Sequence, residues 1–399
     1  IRKFLMVYFR SKASGILHFS SFLMTLFWVI HPLRVESVIW VANLKGLCVA
    51  FWLFLFFLIY LYRPLFKGRI YFLALFLFVM ALFSHPFAVM FPIILVVMDL
   101  FLYSRYQFFN FIFFKRSLIH KWPFFVLSLL FGGVTILEHI QWGGVTTSFD
   151  NKMWYFIPDI FNRYFFYLSK TFVPIDLKLL YFDVFSDWNS MGVWIGGGWL
   201  VLFSFFYRRL KPLIIVFLCC FFLLLPVLGI IQSGSMLVGN RWSYLSTISF
   251  YIFFAGVLYY ILKRYQRSYL TVFLIGGTLF LLLFFQSVQQ AGLWKSNDLL
   301  YGDISDSFEG VHHFVVEYNA YQAMYNDDYE RALQLFEFLA PHYSYAKIGM
   351  VTAYFNQNKF EKGKVILEGT EVPEGSFMFD QKLYLLAYYY FSQGDYEQV

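Results

Sequence analysis

The stretch HPLRVESVIWVANLKG, residues 31–46, sets His31, Arg34, Glu36, Asn43 and Lys45 between two strongly apolar runs. An ionisable group at the centre of a membrane helix costs at least about 2.5 kcal/mol, so charges retained near apolar runs tend to line a cavity or a substrate path. Three further stretches repeat the pattern. SHPFAVMFP (84–92) brings His85 to a short connection, and NRYFFYLSKTF (162–172) spaces Arg163 and Lys170 seven residues apart, about 20° from alignment on a helix. SGSMLVGNRWSYLST (233–247) carries Arg241 and Tyr244 after a glycine-containing loop. Arginine grips phosphate oxygens two at a time and lysine supplies a point charge. His31, Glu36, Lys45, His85, Arg163, Lys170, Arg241 and Tyr244 therefore form a candidate set for holding a lipid-linked phosphate. Each stretch also has a plainer reading: Arg34 and Lys45 snorkel to lipid headgroups, Pro32 starts a helix, His85 is structural, and Arg163 with Lys170 anchors a helix at the interface. Glu36 resists that reading, because a carboxylate gains nothing from anionic lipid.

The elements that must position these groups are membrane helices. The chain is 60% apolar, 24% aromatic and 14% charged, with a mean hydropathy of +0.62, whereas a soluble domain carries about a quarter charged residues. Runs such as FWLFLFFLIYLY approach the ~20 apolar residues that cross a bilayer. Nine spans are expected, near 16–30, 46–62, 70–84, 87–103, 122–138, 191–207, 213–231, 245–262 and 269–287. Cys48, Cys219 and Cys220 all fall inside them, so no disulfide framework is implied.

Charge orients the spans. RSK near position 10, RPLFKGR (63–69), the stretch from Arg105 to Lys121, RRLK (208–211) and KRYQR (263–267) carry 15 Lys and Arg and no acid. The positive-inside rule assigns these loops to the cytoplasm and the four polar stretches to the other side. Parity then requires residues 139–190 to begin and end outside. Within them Phe161, Phe165, Leu168 and Phe172 share a face away from Arg163 and Lys170, which predicts an interfacial or re-entrant amphipathic helix closed by Pro174. The basic balance comes from the membrane part and needs no nucleic acid.

Beyond the last span the chemistry changes. Residues 1–294 hold 24 Lys and Arg against 8 acids, and residues 295–399 hold 7 against 16. DDYERA, NKFEKG and GDYEQV repeat a turn, an aromatic and a glutamate, with Tyr329, Phe360 and Tyr396 spaced 31 and 36 residues apart. These spacings bracket the 34-residue tetratricopeptide period and predict helical hairpins packed through Ala320, Ala332, Ala353 and Ala387. The domains expected are a transmembrane bundle over 1–287, including the outer amphipathic segment 139–190, a connector over 288–314, and soluble repeats over 315–399. The chain is expected to continue before Ile1 and beyond Val399.

No phosphate-binding Gly-Lys-Ser/Thr loop, HExxH, Gly-x-Ser-x-Gly or paired CxxC occurs, and no metal-ligand set is read. Inverted repeats that would favour a carrier are not evident. The order HPLRVESVIWVANLKG, SHPFAVMFPIILVVMDL, YLSKTFVPIDLKLLYF and GNRWSYLSTISF, followed by the repeats, resembles membrane glycosyltransferases of the GT-C fold with tetratricopeptide tails, including the cadherin O-mannosyltransferases and bacterial relatives. The resemblance implies an all-α fold, a polytopic transmembrane bundle followed by an α-solenoid. It also implies sugar transfer from a polyprenyl-phosphate donor to a protein or glycan acceptor on the extracytoplasmic or luminal face. The partners would be the bilayer, the lipid-linked sugar and a protein or peptide acceptor held by the repeats, in a bacterial inner membrane in preference to the endoplasmic reticulum. No resident cofactor is implied; a divalent metal is compatible with the resemblance but unsupported by these residues.

The chain departs from the family pattern. Asn43, Leu44 and Gly46 stand around Lys45 where acidic or arginine-containing runs are usual, His85 replaces a lysine, and Asn240 replaces an acid. The catalytic base is expected on an acidic loop upstream of Ile1. The alternative is a catalytically degenerate membrane anchor whose repeats serve as an interaction scaffold.

Overall fold

The computed structural model describes residues 1–9, 14–62, 68–103, 111–141, 145–146, 153–179, 181, 198, 212–229, 232–233, 238–265, 269–296, 299–300, 313–341, 343–372 and 377–394. The expected span at 191–207 and Tyr396 lie outside them. The chain divides into two units, Ile1–Ser296 and Asn297–Val399.

The first unit is helical: α1 (Arg2–Phe9), α2 (Gly15–Ile30), α3 (Leu33–Ile39), α4 (Leu44–Tyr62), α5 (Arg69–Ser84), α6 (Phe91–Tyr103), α7 (Phe111–Gln141), α8 (Met153–Phe172), α9 (Pro212–Val227), α10 (Ser243–Ser246), α11 (Ile248–Arg264) and α12 (Tyr269–Leu293). Short 3-10 turns lead into α4, α6 and α10. Val145–Thr146 pairs antiparallel with Gln232–Ser233. The core of α4 to α7 is an aromatic knot in which Phe56 meets Phe91 and Phe124 edge-on at 5.2 and 5.4 Å, and Phe124 meets Phe78 at 5.4 Å. Ala74, Ala81 and Ala88 are fully buried around it; such small side chains let helix backbones approach closely.

Among the described residues three helical stretches are long and apolar enough to cross a bilayer: Val41–Tyr62, Phe114–Glu138 and Tyr269–Leu293. Two bent pairs qualify only when joined, α2 with α3 at 68° and Asn240–Ser246 with α11 at 48°. A 16-residue helix such as α5 is about 24 Å long, short of a ~30 Å hydrocarbon core. The outward face of the bundle is apolar: Phe72, Phe83, Leu129 and Phe273 are each at least 70% exposed, and α12 buries only Gly276. Water would penalise such a surface and lipid does not.

Two expectations change. The stretch Arg105–Lys121 is not all loop, because α7 starts at Phe111 and takes in Lys115, Arg116 and Lys121. Lys121 is buried against Asp99 of α6, which also accepts hydrogen bonds from Tyr60 and Ser117. Pairing hides that charge in a way no loop composition reveals. The amphipathic segment also starts earlier, at Met153, and runs through Pro158 to Phe172, with Pro174 just beyond its end as expected.

The second unit consists, among the described residues, of α13 (His313–Tyr325), α14 (Tyr329–Leu339), α15 (Ser344–Asn356), α16 (Phe360–Glu368) and α17 (Phe377–Gln393). Its turns are equivalent. Asp327, Asn358 and Gly394 all have positive φ (61°, 59° and 75°), and each N–H bonds the carbonyl three residues back. Asn, Asp and Gly tolerate that left-handed conformation best. All three stand two residues before the repeated aromatics Tyr329, Phe360 and Tyr396 in the sequence, so the recurring sequence pattern coincides with a recurring turn. Ala320, Ala332 and Ala353 are fully buried in the hairpins, and Ala387 is half-buried.

Candidate functional site

Helix α3 and the turn Asn240–Trp242 build the centre of the candidate site. The 68° bend after α2 lays α3 across the helix end, and Gly239 carries the chain in extended form into the turn. Arg241 Nη1 then reaches Glu36 Oε1 at 2.6 Å. Its guanidinium lies 4.7 Å from the Trp40 ring and 5.0 Å from the Trp242 ring. The Ser37 hydroxyl donates to the Arg241 carbonyl at 3.4 Å. Glu36 is 3% exposed, and its other oxygen is buried without a hydrogen-bond partner. A buried carboxylate needs a fixed cation, and Arg241 is that cation.

Arg34, two residues earlier, makes a separate junction. It donates to the Ser243 carbonyl at 3.0 Å, the Ser243 hydroxyl at 3.2 Å and the Thr247 hydroxyl at 3.0 Å. Trp28 and Tyr244 face its guanidinium at 5.7 and 5.5 Å. At 3% exposure Arg34 does not snorkel; it bolts α3 to α10 and α11. Tyr244 therefore belongs with Arg34 and Trp28, not with Arg241, its neighbour in sequence. His31 is also buried, and its Nδ1 accepts the Leu33 N–H at 3.3 Å, which gives it a capping role at the bend.

His85 lies in the connection between α5 and the turn Pro86–Met90, where its Nδ1 accepts the Phe87 N–H at 3.2 Å. Burial, then the charges of Lys45 and Arg241, hold its imidazolium down at about 4. Lys45 is exposed on the first turn of α4.

Arg163 and Lys170 do not join them as a polar face. Arg163 is 6% exposed, packed under Gly229 so closely that a Cβ there would lie 2.7 Å from its guanidinium carbon. Gly229, with φ at 91°, is the residue type that permits this approach. Burial lowers the Arg163 pKa, opposed by nearby Asp159. Lys170 donates to the carbonyls of Ile175 at 2.6 Å and Asp176 at 3.1 Å, closing the end of α8. Its pKa is lowered by burial, against the pull of Asp176. The 3.6-residue period aligned the two cations but could not say what covers them.

Lys170 is one of three clamps on the strap after α8. Gln290 of α12 donates to the Leu177 carbonyl at 3.0 Å and Asn240 to the Lys178 carbonyl at 2.9 Å, while the Tyr181 hydroxyl donates to Asn240 Oδ1 at 3.0 Å. Asn240 is thus a bracket between the strap and Arg241. Trp40, Trp242 and the hydroxyls of SYLST were not singled out from sequence, and Arg34 was read there only as a headgroup anchor. The density of hydroxyls entering an apolar span, and the indoles beside charges, were the available signals.

Among the described residues no group of His, Cys, Asp and Glu is arranged to hold a metal ion. The arrangement can fix one guanidinium rigidly at a helix end, between a buried carboxylate and two indoles. No protein-family model, curated protein or solved structure matches the chain, so the site stands on its own residues.

Proposed function

We propose that this chain is a polytopic membrane glycosyltransferase of the GT-C type, which moves a sugar from a polyprenyl-phosphate donor to a protein or glycan acceptor on the extracytoplasmic face. The observation that carries the reading is Arg241, held by buried Glu36 and two indoles at the end of a helix. In an inverting transfer a base takes the acceptor hydroxyl proton, the acceptor oxygen bonds to the anomeric carbon, and the carbon–oxygen bond to phosphate breaks. Negative charge grows on the departing lipid phosphate. A preorganised guanidinium stabilises such charge without reorganising during the reaction. Arg241 takes that role with Lys45 as a second cation, and Glu36 positions Arg241. No carboxylate of this chain is assigned as the base. Arg163, Lys170, His31 and Tyr244 support the scaffold around the site. The tail is read as tetratricopeptide-like repeats that hold the acceptor, and a bacterial inner membrane is the favoured setting.

The engagement of Arg163 and Lys170 within the fold favours a second reading, a membrane-anchored interaction scaffold. The two separate on donor turnover. The purified full chain in proteoliposomes, given polyprenyl phosphates carrying different labelled sugars and Ser/Thr-containing acceptors, should release polyprenyl phosphate with at least one donor. Protein capture by the tail without donor binding or turnover would leave the scaffold. For orientation, cysteine at Lys45 should label from the extracytoplasmic side and cysteine at Lys263 from the cytoplasmic side; the reverse pattern would invert the assignment.

A further inference from the structure

Three indoles cluster around Arg241. Trp40 and Trp242 flank its guanidinium, and Trp294, at the end of α12, comes within 6.3 Å of Trp40 with the ring planes 41° apart. Trp40, Trp242 and Trp294 are all half-buried. The position of Trp294 is imposed from outside its own helix. Ser287 donates to the Ile30 carbonyl at 2.5 Å, tying α12 to the bend before α3, and Gln290 ties it to the strap. An indole that only marked interface depth would need neither tie nor a partner ring.

A phosphate at Arg241 would carry its sugar through one bridging oxygen, so the ring must sit beside the guanidinium. Pyranose rings present a face of C–H groups that packs well on an aromatic ring. The space between Trp40 and Trp294 is too narrow for one: two carbon contacts of 3.5–4.0 Å require about 7 Å between facing rings. A sugar would therefore stack on the outer faces of the pair and not between the rings.

We propose that Trp40 and Trp294 form the platform on which the donor's sugar ring stacks, separate from the phosphate contact at Arg241. This rests on the glycosyltransferase reading and adds to it the group that distinguishes a glycosylated lipid phosphate from the bare one. Trp294 is the residue to vary, because Trp40 also flanks Arg241.

The test measures dissociation constants of the full chain in nanodiscs for a polyprenyl phosphate and for its glycosylated form. Trp294→Ala should weaken the glycosylated donor by about tenfold, the upper range for one aromatic contact, and leave the bare lipid phosphate unchanged. Trp294→Phe should recover most of the loss. Equal weakening of both ligands, or no weakening of either, would overturn the platform while leaving the transferase reading intact. Failure of the unmodified chain to bind either ligand would remove that reading and the platform with it.

Discussion

Glu36 and Arg241, 205 positions apart in the chain, meet at 2.6 Å with the carboxylate buried and the guanidinium over two indole rings. The carboxylate fixes one edge of the guanidinium and the indoles fix its plane. Removing one partner of a buried pair leaves an uncompensated charge and costs about 3–5 kcal/mol. Glu36→Gln with Arg241→Met should therefore be far from additive in thermal stability, the double variant being more stable than the sum of the single losses requires. Additive losses would show that the two side chains are not coupled.

The same logic applies at the other end of α4, where Asp99 gathers Lys121, Ser117 and Tyr60. Asp99→Leu alone strands Lys121 and should destabilise the bundle by about 3–5 kcal/mol, whereas Asp99→Leu with Lys121→Met should recover most of it. Melting in detergent measures this. A double variant no more stable than Asp99→Leu would mean that the cluster does more than neutralise itself.

Acid should act through His85, which lies outside both helices it joins. Its folded pKa of about 4 is below the ordinary 6.5. Between those values the unfolded chain binds more protons, so His85's contribution is complete above 6.5, declines as pH falls, and is gone at about 4. The shift corresponds to at most about 3 kcal/mol. His85→Asn keeps an acceptor for the Phe87 N–H and should flatten the melting temperature between about pH 7 and about pH 4.5. An unchanged slope would assign acid sensitivity to other groups.

In the second unit, Gly349 and Gly363 press on Phe336 and Phe355, and a Cβ on either would lie within 2.6 Å of ring carbons. Gly349→Val or Gly363→Val should destabilise the hairpins by about 1–3 kcal/mol. Asn358→Gly, at the left-handed turn, should be neutral or mildly stabilising. Limited proteolysis of residues 313–394 in the full chain reports both. Equal resistance of all three variants would count against hairpin packing as the source of stability.

Much of this architecture was legible in the chain because continuous apolar runs announce helices: α2, α4, α5 and α12 occupy the expected runs, although of these only α4 and α12 are long enough by themselves to cross a bilayer. The repeat turns were legible for a different reason. Asp327, Asn358 and Gly394 are residue types that tolerate left-handed backbone, and they recur ahead of an aromatic. What composition could not show was pairing. Composition makes Lys121 a loop cation, whereas Asp99 neutralises it inside the bundle; the spacing that aligns Lys170 with Arg163 does not reveal the strap carbonyls at its tip, nor does a headgroup reading of Arg34 reveal Ser243 and Thr247 around it. Arg241 and Glu36 were identifiable singly, but their contact depends on the 68° bend after α2, which no local pattern encodes.

The central claim is that Arg241 stabilises charge on a departing lipid phosphate, and single-turnover release of polyprenyl phosphate by Arg241→Lys tests it most directly. Lysine keeps the charge opposite Glu36, so the fold should survive, while the planar fork is lost. The account predicts a fall in the release rate of about 10²-fold or more with donor affinity changed much less, the signature of an interaction strongest in the transition state. Release at the unmodified rate in a correctly folded Arg241→Lys chain would contradict it.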